Sequence, residues 1–144
     1  SMTAMQNVIF PMRFTGVSSK DRFNQAARLL SQVGLAKRAR HKPTELSGGQ
    51  QQRVAVARAL VNNPPIILAD EPTGNLDTTS GFEIMKLLSK LNQEGRTVIL
   101  VTHDNRMCQF ASNIVYLLDG ITVSEAEYEA ASHFEIEEEV EEVE

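Results

Sequence analysis

Three short stretches hold residues whose types and spacing can do chemistry. In Leu46-Ser47-Gly48-Gly49-Gln50-Gln51-Gln52-Arg53, a hydroxyl and two glycines run straight into the apolar helical pattern Val54 to Val61. The free amides of a first helical turn and the positive end of its dipole suit a phosphate, and glycines let a ligand approach the backbone closely. The same residues also fit a tight turn with an N-cap serine. The second stretch, Asp70-Glu71-Pro72, follows the apolar run Ile66-Ile67-Leu68-Ala69. Two acids at the end of a buried strand are costly unless engaged. Asp70 is placed to orient Mg²⁺ through its water shell and Glu71 to polarise an attacking water; the alternative is a pair of acids simply exposed at a strand end. Third, His103 closes a similar run from Thr97. An imidazole there can hydrogen-bond a terminal phosphate and an attacking water, or be structural.

The elements that must position these residues follow an α/β order. Residues 3 to 18 read as extended or loop-like, broken by Pro11 and Gly16 and anchored by Val8, Ile9, Phe10, Met12 and Phe14. Ser19 to Val33 reads as a helix capped by Ser18 or Ser19, with Phe23, Ala26, Ala27, Leu30 and Val33 on one stripe and Gly34 as its stop. The basic run Lys37 to Pro43 reads as a solvated loop. The helix after Gly49 stops at Asn62-Asn63-Pro64-Pro65, and Ile66 to Ala69 has the continuous apolar character of a parallel strand buried on both faces. Thr78 to Glu94 predicts a helix with Phe82, Met85, Leu88 and Leu91 inward. Thr97 to Val101 predicts a second buried strand, Asp104 a cap for a short helix through Phe110, and Asn113 to Ser124 a hairpin turning at Asp119-Gly120. Strand, helix, strand implies a parallel pair joined by a right-handed crossover, with Asp70, Glu71 and His103 at its carboxyl edge.

Composition narrows the class further. A chain of 144 residues, 42% of them apolar, suffices for one domain with a core. The lone cysteine, Cys108, excludes an internal disulfide framework and a cysteine-based zinc site and reads as a small buried apolar residue. No run reaches the roughly 20 apolar residues that span a bilayer. The net charge of -5 hides a split, because residues 125 to 144 hold ten glutamates and no lysine or arginine, leaving the body with fourteen basic and nine acidic residues. A basic body suits a polyanionic ligand such as a nucleotide. The acidic tail reads as solvated or partner-dependent, with Ile136, Val140 and Val143 at helical spacing and Phe134 to Glu137 alternating like a strand.

Together these segments resemble the nucleotide-binding subunits of ATP-binding-cassette (ABC) transporters over residues 3 to 123. The resemblance rests on the signature Leu46-Ser47-Gly48-Gly49-Gln50, the Walker B strand ending in Asp70-Glu71, the D-loop Gly74-Asn75-Leu76-Asp77 and the switch histidine in Val101-Thr102-His103-Asp104. Thr3 to Val8 and His41-Lys42-Pro43 are similar to the lipoprotein-release and macrolide-export branch. The resemblance implies an α/β fold: a partial P-loop NTPase (RecA-like) core with parallel strands plus an α-helical signature subdomain. It divides the chain into a signature subdomain at 1-63, the C-terminal half of the ATPase core at 64-124 and the acidic tail at 125-144. It implies Glu71 and His103 as catalytic, Asp70 as the Mg ligand through water, and Ser47, Gly48, Gly49, Gln50 and Asp77 as ATP contacts. Ser47, Gly48 and Gly49 would touch the γ-phosphate of an ATP held mainly by a second nucleotide-binding domain in a head-to-tail dimer, and Asp77 would cross the seam. A transmembrane transporter subunit is the implied partner, nucleic acid is not, and the implied place is cytoplasmic, at the inner face of the membrane.

One departure bears on mechanism: none of the eight glycines is followed by lysine, so the phosphate-cradling G-x-x-x-x-G-K-[S/T] is not in this sequence. That loop supplies most of the triphosphate binding in the class. The chain by itself is therefore expected neither to bind Mg-ATP tightly nor to hydrolyse it. In ATPases of this type the strand before that loop lies between the strand ending at His103 and the one near Ile114 to Leu118. Unpaired edges recruit partners, so self-association, segment swapping or cover by the tail is expected. Two other readings stand beside the transporter ATPase. One is a non-catalytic module lending its signature to another subunit's ATP. The other is the C-terminal lobe of a chromosome-maintenance or DNA-repair ATPase, against which residues 1 to 45 show no sustained heptads.

Overall fold

The computed structural model describes residues 2–131, which fall into two compact units divided between Phe110 and Ala111. The boundary expected between residues 63 and 64 lies inside the first of these.

The first unit opens with a helix rather than the extended segment the sequence suggests. Helix α1 (Ala4–Ile9) has Thr3 as N-cap: its hydroxyl accepts from Gln6 N, and the Gln6 side chain accepts in return from Thr3 N at 2.8 Å. Such a reciprocal pair satisfies two orphan donors of a first turn. The basic connector closes two more, because the carbonyls of His41 and Ala39 accept from Ala4 N and Met5 N, both at 2.8 Å. Its lysines and arginines are exposed as expected, but its backbone is folded into the core's edge. Pro11 enters a short 3₁₀ turn, Phe10–Phe14, at a first-turn position, where its missing N–H costs nothing. Of the five expected anchors, Val8 and Met12 are buried with Ala4, at i, i+4 and i+8, while Phe10 and Phe14 are exposed.

Helix α2 (Ser19–Gln32) is capped by Ser18 and buries Ala26, Leu29 and Leu30. Phe23, placed on the inward stripe by spacing alone, is 54% exposed. Gly34 follows at φ +77°, and Leu35 N reaches back to Leu30 O at 2.7 Å, so the left-handed glycine closes the helix as a Schellman-type cap. Helix α3 (Gly48–Leu60) buries Val54, Val56, Ala57 and Leu60, and the Gln25 side-chain amide donates to Val61 O at its C-terminal end. Helix α4 (Thr78–Gln93) buries Gly81, Ile84, Met85, Leu88 and Leu91. These side chains form one core with Val33, Val61, Ile67 and Met107. At about 1.5–3 kcal/mol per buried aliphatic side chain, that core is what holds the short helices in place.

Strands β1 (Ile66–Asp70) and β2 (Thr97–Val101) pair in parallel, with Leu68 opposite Ile99 and Asp70 opposite Val101. This is the expected parallel pair. The expectation of two buried faces is corrected: Ile67 is 6% exposed on the inner face, but Ile66, Leu68, Ile99 and Val101 on the outer face are about half exposed or more. Among the described residues, helices pack against the inner face and leave the outer one open, so the apolar run by itself did not tell one covered face from two. After β2, a 3₁₀ segment, Asn105–Phe110, follows Asp104, whose carboxylate accepts from Arg106 N. Cys108 within it is half-buried and free.

The second unit holds the antiparallel hairpin β3 (Tyr116–Leu118) and β4 (Ile121–Val123). Asp119 and Gly120 turn it with φ +49° and +79°, the pair of positive angles a type I′ turn demands. Residues 125–131 are helical, capped by Ser124, and Tyr116 donates from its hydroxyl to Glu125 at 2.8 Å. The tail patterns at Phe134 to Glu137 and at Ile136, Val140 and Val143 lie outside the described residues. No helix among the described residues is long and apolar enough to cross a membrane.

Candidate functional site

Glu71 is set by the backbone that ends β1. Its φ is +42°, a left-handed conformation costing a non-glycine residue roughly 1–2 kcal/mol, and its N–H donates to Val101 O at 2.9 Å, tying it to the end of β2. The carboxylate therefore meets the chain leaving β2. Oε1 accepts from His103 N at 3.0 Å and lies 2.8 Å from His103 Nδ1, and Oε2 accepts from the Thr102 hydroxyl at 3.3 Å. The His103 side-chain hydrogen bond, joined by the His103 amide and the Thr102 hydroxyl, outweighs desolvation and holds the Glu71 carboxyl below the usual carboxylate range. Both side chains are open to water, His103 at 83%, so the pair contributes little to stability and much to orientation.

Thr102 also accepts from Asp104 N at 3.0 Å. Asp104 in turn takes Arg106 Nε and Nη2 at 2.9 and 2.8 Å, and that side-chain hydrogen bonding lowers its carboxyl. Thr102 is a site residue that the motif reading passed over; its signal was its position between a β2 strand end and the histidine. Asp70 is exposed on the outer sheet face. Among the described residues no cluster of three or more His, Cys, Asp or Glu could hold a metal. A single exposed carboxylate fits Mg²⁺, which keeps most of its waters and takes further oxygens from a substrate's phosphates.

The signature stretch is a helix start, as expected. Ser47 caps α3: its hydroxyl accepts from Gln50 N at 3.3 Å, and the Gln50 side chain accepts from Ser47 N at 3.2 Å. Both side chains are thus engaged in the capping box. The two glycines allow a close approach by what lies against them. A Cβ on Gly48 would stand 3.1 Å from Leu76 Cδ2, and one on Gly49 would stand 3.2 Å from Ser80 Cβ. The signature loop therefore packs directly on the D-loop and the first turn of α4. Asp77 caps that helix, accepting from Ser80 N at 2.9 Å and Ser80 Oγ at 2.6 Å, and these bonds lower its carboxyl. Beside this contact is a polar cleft of about 270 Å³ bordered by Ser47, Gln50, Arg53, Ser80 and Glu83. Arg53 spans it, donating to Glu83 at 2.6 Å and to Val33 O at 3.1 Å. No local pattern announces that tie, since Glu83 is thirty residues away in the chain.

The structure thus brings together Glu71 with His103, and Ser47, Gly48, Gly49 and Gln50 with the D-loop and α4. The ABC transporter family profile matches residues 1–74, a run that takes in the signature and the Asp70-Glu71 pair. The chain belongs to the ABC transporter family. It is 53% identical to an uncharacterised ABC transporter ATP-binding protein of Thermotoga maritima, over 83% of this chain and 51% of that protein. It is 46% identical to the macrolide export ATP-binding/permease protein MacB of Bradyrhizobium diazoefficiens, over 90% of this chain and 20% of that protein. Among solved structures it superposes on the ATP-binding cassette MJ0796, seen as a dimer in a post-hydrolysis state bound to ADP and Pi, with TM-score 0.74 and 49% identity over 85% of this chain and 55% of that one. The chain spans about half the length of the ATP-binding relatives it matches and a fifth of the MacB proteins. The fold is that of P-loop NTPase cassettes of the ABC type, with its parallel strands and helical signature region.

Proposed function

We propose that this chain supplies the signature and catalytic-carboxylate portion of an ATP-hydrolysing nucleotide-binding domain that drives a transmembrane transporter of the macrolide or lipoprotein-export type. The observation that carries the reading is Glu71, held at a strand end by a strained backbone with its carboxylate ionised against His103. In this reading Glu71 accepts the proton of the attacking water, and His103 positions Glu71 and donates toward the terminal phosphate. Asp70 would hold a hydrated Mg²⁺, which would supply neutralisation of charge on the phosphates. Residues 1-63 act as the signature subdomain and 64-124 as core. Ser47, Gly48, Gly49 and Gln50 present the start of α3 to an ATP on a second domain across a head-to-tail dimer, with Asp77 at the seam; the dimeric state of the MJ0796 cassette supports that geometry. The domain would sit at the inner face of the membrane against its transporter partner.

The phosphate-cradling loop must come from elsewhere than these residues, so the chain by itself is expected to be inactive. Calorimetric titration with Mg-ATP tests this. No heat at micromolar nucleotide is expected, whereas a micromolar Kd, about -8 kcal/mol, would overturn it.

A further inference from the structure

The basic connector between α2 and the signature stretch plays no part in the site. Residues 22 to 44 hold six lysines and arginines and no aspartate or glutamate, and Lys37, Arg38, Arg40 and Lys42 crowd into one short run of that segment. All four are exposed, and among the described residues none of them joins an ion pair, whereas Arg53, Arg96 and Arg106 each do. The next acid along the chain, Glu45, is turned onto Lys42 N at 2.6 Å. Like charges held this close repel one another, and an anionic partner relieves the repulsion. Nor is the cluster a loose loop. Two 3₁₀ turns, Ala36–Arg38 and Pro43–Glu45, bracket it, the Ala39 and His41 carbonyls accept from the first turn of α1, and Arg38 Nη1 lies 2.9 Å from His41 Nε2. The cations therefore stand on a fixed backbone, and little chain freedom is lost when they meet a partner.

We infer that the connector is a docking surface for an anionic membrane, with Lys37, Arg38, Arg40 and Lys42 resting against lipid headgroups. The inference rests on the functional reading above, which sets the domain at the inner face of a membrane, and it adds lipid itself as a partner there. Cytoplasmic leaflets carry negative lipid, and each lysine or arginine near such a surface strengthens binding about fivefold. Two observations favour lipid over an acidic protein or a nucleic acid. Helix α1, whose six residues span about 9 Å, joins the connector's backbone to a turn that carries exposed Arg13, with Phe14 79% and Phe10 42% exposed beside it. Exposed rings among cations suit the headgroup boundary, which takes an apolar body and a charge together. The Phe10 and Phe14 rings also meet edge to face, 5.7 Å apart, so they cover each other and leave no slot between them in which a base could stack.

The test sediments the full chain with sucrose-loaded vesicles, without nucleotide, using neutral phosphatidylcholine in one set and phosphatidylcholine mixed with phosphatidylglycerol in the other. Binding to the anionic set is expected to be at least about tenfold tighter than to the neutral set, and to fade as added salt screens the headgroups. Lys37→Gln with Arg40→Gln should weaken it at least about tenfold. Lys86→Gln with Lys90→Gln removes as much charge from exposed positions on α4 and should leave binding nearly unchanged. All four positions are exposed, so both variants should keep the parent's thermal melt, which is the folding control. Equal binding to neutral vesicles, an equal loss with the α4 pair, or tighter connector-dependent binding to single-stranded DNA or polyglutamate would each overturn the inference. A chain that binds anionic vesicles but never supports ATP hydrolysis in an assembled domain would uphold the surface and sink the functional reading instead.

Discussion

Single residues in this chain carry two kinds of constraint, and they separate experimentally. Glu71 has its carboxyl lowered by His103, so its contacts stabilise the joined ends of β1 and β2 at neutral pH and are lost as pH falls through its depressed value, below the usual carboxylate range. Carbon-detected NMR titration should show Glu71 ionising at lower pH than an ordinary glutamate. His103→Ala should move its midpoint up toward the ordinary value; an unmoved midpoint would remove the histidine as the cause. Ser47 is different, because its hydroxyl is bonded within its own helix start. Ser47→Ala should cost about 1 kcal/mol in denaturant unfolding, and Ser47→Asp should restore most of it. If Ser47→Asp keeps stability but abolishes hydrolysis in an assembled site, the serine serves the phosphate as well as the cap. The acids and the histidine were legible in the sequence because each stands at the end of an apolar run. Their contact was not, since it depends on the parallel register that sets residue 70 beside 101.

At the scale of elements, what the sequence showed and what it hid follow from how local each signal is. Helices α2, α3 and α4 carry their caps and stripes in contiguous residues, and the Asp119-Gly120 turn carries its own backbone requirement, so these emerge from pattern alone. Helix α1 was masked by Pro11 and a mixed apolar run. Its six residues are too few to be stable alone; the Thr3–Gln6 box and the carbonyls of Ala39 and His41, over thirty residues away, complete it. Gly34 shows the same interplay: it is left-handed at φ +77°, and a Cβ there would also meet Arg53 Nη1 at 3.4 Å. Gly34→Ala should therefore destabilise by about 1–2 kcal/mol, measured by thermal or urea unfolding. Gly95, also left-handed but with open space around it, should give a similar backbone penalty without disturbing the Arg53–Glu83 pair.

Across the whole molecule, the β1–β2 sheet buries one face and leaves the other open, and a polar cleft lies beside α3. The apolar runs of β1 and β2 correctly announced a parallel pair, but an unbroken apolar run does not record whether a helix covers each face, which is why the outer face, with Leu68 and Val101 exposed, was misjudged. The most direct test is ATP turnover of this chain alone, of the chain mixed with a polypeptide spanning the part of the MJ0796 cassette that this chain does not match, and of the same mixture carrying Glu71→Gln. The account predicts no turnover alone, turnover in the mixture, and a loss of at least about 10²-fold with Glu71→Gln. Turnover by the chain alone at the mixture's rate, or a Glu71→Gln mixture as active as the parent, would contradict it.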